Sequence, residues 1–255
     1  MEAREGIDQG KYWGENVPFF VDGYDPTGVS SDVVRDMYKK WNNHRYACEP
    51  HILDLIHQWS IGVEKVLEVG VGAGMDFSRI AALCSDAHGV DLSDKNVERT
   101  KCALDTFGLK GTVQQGSALE LPFEDETFDG VYSYGVLHHT GDTQKAIDEC
   151  FRVLKSGGKF GIMLYHKWWG TRLTELLFKF MPGSMYDDRA IVDVYTSKEV
   201  RDLLSKFKEE NVWYSTPKGF SPSLRDRIFW FAMECVPFFE KLMTGSFMLV
   251  LVEKP

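Results

Sequence analysis

Residues 66–74 read Val-Leu-Glu-Val-Gly-Val-Gly-Ala-Gly, a mostly apolar run that leads directly into a turn with three glycines. The run Lys65–Val69 is typical of a buried strand, and the helical spacing of Phe77, Ile80 and Cys84 after the turn predicts a helix. Glycines in such a turn adopt backbone angles that are closed to other residues, and they let a ligand approach the backbone closely. The stretch therefore predicts a strand, a tight turn and a helix, with a ligand site at the turn.

Strand and helix patterns continue to alternate after this unit. Short apolar runs at 88–90, 112–114, 128–134 and 159–165 predict four further strands, and helical patterns separate most of them. Alternation at this spacing is typical of parallel strands joined by right-handed crossovers. We therefore predict an α/β fold in which helices cover both faces of a parallel sheet.

The flanking segments read as parts of the same structural domain. Thr196, followed three residues later by Glu199, predicts a capping box that opens a helix. The predicted segments are an aromatic N-terminal arm with helices at 1–60, the ligand-binding core at 61–165, a helical cap insertion at 166–210, and the last two strands with an inserted apolar helix at 211–255.

Composition excludes several classes of protein. The 255 residues are 44% hydrophobic and 26% charged, as in ordinary globular domains and unlike disordered or fibrous chains. The 38 acidic and 29 basic residues give a net charge of −9, which would repel a phosphate backbone, so we expect no nucleic-acid partner. The five scattered cysteines form no CxxC pair, so we expect neither a disulfide framework nor a metal site. The lack of a signal segment predicts a cytoplasmic protein.

An acidic residue is predicted beside the glycine turn. Asp91 ends the second strand, seventeen residues after Gly74. An acid there accepts hydrogen bonds from both hydroxyls of a ribose at the carboxyl edge of the sheet. The spacing of the turn is G-x-G-x-G, with Met75 following, and so differs from the G-x-G-x-x-G of dinucleotide-binding folds. The pattern predicts a nucleoside-containing ligand.

Four blocks in a fixed order carry a family resemblance. They are VLEVGVGAG (66–74), GVDLS (89–93), GSALELPFEDETFDGVYSYGVLHHT (116–140) and FRVLKSGGKFGIMLY (151–165). Together they resemble a class I methyltransferase dependent on S-adenosylmethionine (SAM), of the small-molecule branch that includes ubiquinone and menaquinone biosynthesis enzymes. The resemblance implies a Rossmann-like, doubly wound sheet of seven strands with one antiparallel late strand. It also implies methyl transfer from SAM to a small-molecule acceptor, with S-adenosylhomocysteine (SAH) as product.

The resemblance also implies which residues contact the cofactor. Glu68 and the glycines would line its methionine end, and Asp91 would hold its ribose. Ser117 stands where relatives commonly have Asp, so its hydroxyl would accept more weakly from the adenine amino group. The full implied set is Glu68, Gly70, Val71, Gly72, Gly74, Asp91, Leu92, Ser117, Ala118, Tyr134, Gly135 and Leu137.

Three histidines are candidate catalytic residues, because each follows a strand at the carboxyl edge of the sheet. They are His138 and His139 after the fourth strand and His166 after the fifth. Each is a candidate to position or deprotonate the methyl acceptor. The alternative for each is a structural role: hydrogen bonding to backbone at a helix start for His138 or His139, and a surface position for His166.

Aromatic residues on the N-terminal side are candidates for the wall of the pocket, with core packing as the alternative. They are Tyr12, Trp13, Tyr38 and Trp41. The apolar segment 217–245 must also pack on something. We expect it to form a cap over the pocket with 166–210, or to contact a second copy of the chain, in preference to a membrane surface.

Two other functions remain open at this level. One is a catalytically silent SAM-binding protein, and the other is a nucleotide-linked oxidoreductase on a Rossmann sheet. The G-x-G-x-G spacing and the block after the fourth strand favour the methyltransferase over the oxidoreductase. The acceptor atom and molecule are not predicted.

Overall fold

A computed structural model describes residues 8–15, 25–167, 191–215 and 247–255. The helices are α1 (Gln9–Glu15), α2 (Ser31–Cys48), α3 (His51–Ser60), α4 (Met75–Leu83), α5 (Asp94–Phe107), α6 (Thr143–Val153) and α7 (Ser197–Leu203), with a 3-10 turn at Leu137–His139. The strands are β1 (Lys65–Val69), β2 (Asp86–Asp91), β3 (Thr112–Gln115), β4 (Phe128–Tyr134), β5 (Leu154–Tyr165), β6 (Lys208–Ser215) and β7 (Phe247–Glu253).

The strands form one seven-stranded sheet in the order β3-β2-β1-β4-β5-β7-β6. Strands β1 to β5 pair in parallel, whereas β7 runs antiparallel to both β5 and β6. The strand order reverses between β1 and β4, which is where ligands bind in sheets of this type. The predicted fold class is confirmed.

Two apolar layers enclose the sheet because successive side chains of each strand point to opposite faces. Leu67 and Val69 of β1 face a core formed with α6 and α7, and Val66 faces a core formed with α3, α4 and α5. Trp59 of α3 is fully buried in the second core. A Cβ atom at Gly130 of β4 would lie 2.9 Å from its ring, so the absence of a side chain there lets the indole pack on the sheet.

Three of the four candidate wall residues are buried: Tyr12 of α1, and Tyr38 and Trp41 of α2. Tyr38 and Trp41 of α2 are 0% and 3% exposed and pack with Ala73, Met75 and Ala103. The Tyr38 hydroxyl lies 2.5 Å from the carbonyl oxygen of Ala73, to which it donates. Through this hydrogen bond Tyr38 supports the backbone of the glycine turn.

Some local predictions outside the core agree with the structure and others do not. The Thr196–Glu199 capping box is present, since the Thr196 side chain accepts from the Glu199 amide and the Glu199 side chain accepts from the Thr196 amide. Ser93 occupies the N-cap position of α5, but its side chain makes no capping hydrogen bond. Strand β5 begins at Leu154, five residues before its predicted start. Residues 168–190 of the predicted cap insertion and the apolar segment 217–245 lie outside the described residues.

In the parts of the chain that the structure covers, no helix is both long enough and apolar enough to cross a membrane.

Candidate active site

The glycine turn lies at the carboxyl end of β1 and leads into α4. Gly70, Gly72 and Gly74 all have positive φ angles, +86°, +55° and +79°. Side chains at such angles are strained, so the turn requires glycine at all three positions. A Cβ atom at Gly70 would also come 2.3 Å from the Val136 side chain. The turn therefore brings the ends of β1 and β4 into close contact.

Asp91 is held next to the turn by three donors. Its Oδ2 atom accepts from the Gly72 amide at 2.8 Å, and its Oδ1 atom accepts from the Ser93 amide at 2.9 Å and from Asn96 Nδ2 at 3.2 Å. Burial raises the pKa of Asp91, and these hydrogen bonds oppose that rise. A carboxylate has about four acceptor positions, so this one can accept a further hydrogen bond from a ligand hydroxyl.

Glu68 lies one strand away from Asp91, at the end of β1. Its side chain is 3% exposed, and its Oε2 atom has no hydrogen-bond partner among the described residues. Burial, with the negative charges of Asp76 and Asp91, raises the pKa of Glu68 well above its usual value, while Arg45 lowers it. An unsatisfied buried carboxyl oxygen costs free energy unless a donor or cation meets it. The end of β1 is therefore suited to an ammonium group.

A buried ion pair fixes the start of α4. Arg45 of α2 donates from Nε to Asp76 Oδ1 at 3.1 Å and from a terminal nitrogen to Oδ2 at 2.6 Å, and the Tyr46 hydroxyl donates to Oδ1 at 2.9 Å. This bidentate pairing orients the carboxylate as well as neutralising it. Asp76 was not predicted at the site, although it follows the last glycine of the turn by only two residues.

A second missed group lies at the end of β4. The Tyr134 hydroxyl lies 2.7 Å from Nε2 of His51, and Tyr134 is also near enough to Glu49 to lower the pKa of that carboxyl. Burial raises the pKa of Glu49 to about 7, with Asp76 adding to the rise, and Arg45 and Tyr134 lower it. Burial and the charge of Arg45 lower the pKa of His51 to about 4. Tyr134 was predicted at the site, whereas Glu49 and His51 were not.

The two adjacent histidines occupy the 3-10 turn after β4. His139 Nδ1 donates to the carbonyl oxygen of Ile191 at 2.5 Å, which leaves Nε2 as the hydrogen-bond acceptor of its neutral ring. Burial lowers the pKa of His139 to about 4. His138 is fully buried, and neither ring nitrogen has a partner among the described residues. Burial and the neighbouring His139 lower the pKa of His138 well below its usual value. Both rings are therefore neutral at pH 7.

The third candidate, His166, lies apart from this pair. Its Nε2 atom is 3.4 Å from the hydroxyl of Ser197, and its backbone bridges to Tyr195. These contacts tie the end of β5 to the start of α7. The structural alternative is thus the better supported one for His166.

Aromatic rings surround the histidine pair. The Tyr165 ring lies 4.1 Å from His138 and is stacked on Phe247 at 5.4 Å between centroids. The Trp13 ring of α1 lies 4.7 Å from His139. The N-terminal arm and the ends of β4, β5 and β7 therefore meet at one place.

The remaining implied cofactor contacts are distributed around the same edge. Leu92 is 42% exposed, as a residue facing a planar ligand can be. The Ser117 hydroxyl accepts from the Leu119 amide at 3.1 Å. Gly135 has a φ of +74°. The side chains of Val71 and Leu137 are buried in the two cores, so only their backbone atoms are available to a ligand. Ala118 packs partly buried on the core of α6.

The central part of the chain matches a known protein family. Residues 67–162 match the model of the methyltransferase domain family. The chain is 35% identical over 116 residues to sarcosine/dimethylglycine N-methyltransferase of Aphanothece halophytica, covering 43% of this chain and 40% of that protein. It is 33% identical over 103 residues to demethylmenaquinone methyltransferase of Symbiobacterium thermophilum, covering 38% of this chain and 41% of the relative. The matches thus span about two fifths of these curated relatives.

A solved structure extends the likeness to the whole fold. Magnesium protoporphyrin IX methyltransferase from Synechocystis PCC 6803, with bound SAH, superposes with a TM-score of 0.59 at 16% identity, covering 93% of this chain and 96% of that one. At this identity the likeness shows the fold. The chain therefore carries a methyltransferase domain, at residues 67–162, and its resemblance to the small-molecule branch of the class I, SAM-dependent methyltransferases is confirmed.

Proposed function

We propose that this protein transfers a methyl group from SAM to a small-molecule acceptor. The observation that carries the proposal is the pair of buried carboxyl groups, Glu68 and Asp91, on either side of the glycine turn. The relatives named above act, by their names, on sarcosine, dimethylglycine and demethylmenaquinone. Those are small molecules, which supports an acceptor of the same size class.

The residues present fit the cofactor. The Glu68 Oε2 atom, which has no partner among the described residues, matches the ammonium group at the methionine end, and the remaining acceptor position of Asp91 matches a ribose hydroxyl. Leu92 offers an exposed apolar face for adenine. Ser117, whose oxygen already accepts from Leu119, would contribute to adenine binding less than a carboxylate would.

The chemistry divides between the cofactor and the chain. SAM, when bound, supplies a methyl group on a positively charged sulfonium. The chain has to align the acceptor and exclude water. Tyr134, Tyr165 and Phe247 provide aromatic surface, and such rings attract cationic groups. Trp13 extends this surface on the side of the arm.

His139 is better suited to positioning than to general base catalysis. With a pKa of about 4, its ring holds a proton weakly at neutral pH. Its Nε2 atom can nevertheless accept a hydrogen bond from a hydroxyl or amine and so orient the acceptor. His138 is neutral for the same reason, and its side chain is fully buried.

Glu49 is the better-matched proton acceptor, because its pKa of about 7 lies near the working pH. The proton lost by the methyl acceptor would pass to the Tyr134 oxygen. At the same time the Tyr134 hydroxyl proton would pass to the Glu49 carboxylate, so that Tyr134 ends unchanged. Tyr134 and Glu49 are needed in this role only for a methyl acceptor that loses a proton. An acceptor without one would not depend on Glu49.

The test of the proposed function measures cofactor binding and methyl transfer separately. Calorimetry should show that SAH binds the wild-type chain and that the Glu68→Gln and Asp91→Ala variants bind SAH more weakly. A screen of metabolites with labelled SAM should then find a labelled small molecule. Unchanged SAH affinity in both variants, or label found only on protein or nucleic acid, would contradict the proposal.

The cap expected from 166–210 and 217–245, the possible homodimer and the cytoplasmic location stay proposals. Support for a covered pocket comes from the other side, where α1 already contacts the end of β2 and the His139 ring. Covering of this kind suits a small acceptor.

A further inference from the structure

Helix α1 lies directly on the turn that follows the cofactor-binding strand β2. A Cβ atom at Gly10 would lie 3.1 Å from the Leu92 carbonyl oxygen, and one at Gly14 would lie 2.5 Å from the Ser93 hydroxyl. Residues four apart share one face of a helix. The two glycines therefore form a flat face that lets α1 approach the residues directly after Asp91. A cleft of about 490 Å³ remains between α1 and this turn.

Two buried side chains of α5 hold the end of α1 in this position. Asn96 Nδ2 lies 3.4 Å from the Trp13 carbonyl oxygen, and Arg99 donates to the Gly14 carbonyl oxygen at 2.8 Å. The last carbonyl groups of a helix have no partner within the helix, and a cation there is favourable. These side chains supply the missing donors.

The same two side chains reach the ribose-binding carboxylate. The Asn96 amide nitrogen that contacts Trp13 also lies 3.2 Å from Asp91 Oδ1, and its amide oxygen accepts from Arg99 at 3.0 Å. Arg99 also pairs with Asp25 at 3.1 Å. One continuous set of hydrogen bonds thus joins Asp91 to the last residues of α1 and to Asp25.

We propose that Asn96 and Arg99 are positioning residues, which couple the seating of α1 to binding of a ribose diol at Asp91. The inference rests on the proposed function and deepens it. A ligand that fixes the Asp91 carboxylate also fixes the Asn96 amide, and through it the backbone at Trp13. Since coupling between two sites is reciprocal, the seated arm tightens nucleoside binding by the same factor.

The coupling has a consequence at the other end of the site. The ring of Trp13 contacts His139, which lies on the acceptor side. Seating of α1 by the nucleoside therefore places Trp13 against the residue proposed to orient the acceptor. Cofactor binding would complete the acceptor pocket.

The experiment follows hydrogen–deuterium exchange of residues 8–15 in the full chain. SAH and adenosine should each slow exchange in this segment, by about tenfold at saturation, whereas L-methionine, which has no ribose, should not. Asn96→Ala and Arg99→Lys should bind SAH more weakly and lose this protection even at saturating SAH. Glu98→Ala, an exposed position between them on α5, is the matched control and should behave as the wild type.

Tryptophan fluorescence gives a second, spectroscopic readout. SAH should change the emission of the wild type, and the change should disappear in Trp13→Phe and in Asn96→Ala. Equal protection of 8–15 in the wild type and in both α5 variants would overturn the coupling. If SAH binds the wild type without slowing exchange in residues 8–15, this inference would be overturned, whereas the proposed function would stand. If SAH did not bind the wild type at all, the proposed function would fail with it.

Discussion

Arg45 and Asp76 lie 31 positions apart in the sequence and meet through two hydrogen bonds, of 3.1 and 2.6 Å, with side chains that are 11% and 5% exposed. The pair joins α2 to the first turn of α4, which begins directly after the glycine turn. Burying a charge is costly unless a partner and further hydrogen bonds compensate it. The start of α4, and with it the glycine turn, is therefore held by a helix that precedes the whole sheet.

Removing one member of this pair should destabilise the fold strongly. Arg45→Met leaves the Asp76 carboxylate buried and without its cation, so the free energy of unfolding should fall by about 3–5 kcal/mol. The double variant Arg45→Met/Asp76→Asn should recover part of that loss. Urea titration followed by circular dichroism measures both. A double variant no more stable than Arg45→Met would mean that the ion pair is not the cause.

The carboxylate of Asp91 should contribute more to cofactor affinity than to stability. Loss of charged hydrogen bonds in Asp91→Ala should cost about 1.5–3 kcal/mol, which is about ten- to a hundredfold in SAH affinity by calorimetry. Asp86→Ala is a suitable control, because Asp86 begins the same strand and its side chain is 53% exposed. Equal affinities of the two variants would argue against ribose binding at Asp91.

Glu49 should make stability depend on pH. Folding raises its pKa from 4.5 to about 7, so the folded state holds the proton more tightly, and stability falls as pH rises through this range. Glutamine does not ionise. Glu49→Gln should therefore gain up to about 3 kcal/mol relative to the wild type near pH 8 and nothing near pH 4.

The same variant should also affect turnover once the acceptor is known. For an acceptor that loses a proton, the wild-type rate should rise with pH around 7, and Glu49→Gln should abolish that rise. Thermal melts across the pH range give the stability, and initial rates give the profile. If the rate of Glu49→Gln still rises with pH around 7, a group other than Glu49 accepts the proton.

The three histidines should separate by their effect on turnover. His139→Ala should lower kcat by about tenfold or more while changing SAH affinity little, because His139 is proposed to orient the acceptor and not the cofactor. His166→Ala should leave kcat near that of the wild type. His138→Ala should act mainly on stability, since the ring is fully buried. Wild-type kcat in His139→Ala would remove His139 from the mechanism.

Local sequence patterns determined much of this protein. The alternation of apolar runs predicted the sheet and its helices, and the positive φ angles at Gly70, Gly72 and Gly74 agree with the glycines of the turn. Asp91 was predicted to lie beside the turn because it ends a strand at a fixed distance from it, and the structure places it there. These features depend on neighbouring residues, whose geometry repeats along the chain and so leaves a readable period.

Contacts between distant segments were decided only by the tertiary structure. Arg99 meets the carbonyl of Gly14 across 85 positions, and Tyr134 meets His51 across 83. Glu49 and Asn96 show no periodicity or motif in the sequence that marks them as part of the site. Their role arises because burial removes water and leaves each polar group with the few partners that packing brings within reach. The strand ends and the glycine turn that form the proposed cofactor edge could thus be predicted from the sequence, whereas the groups that contact this edge became visible only when the helices were packed on the sheet.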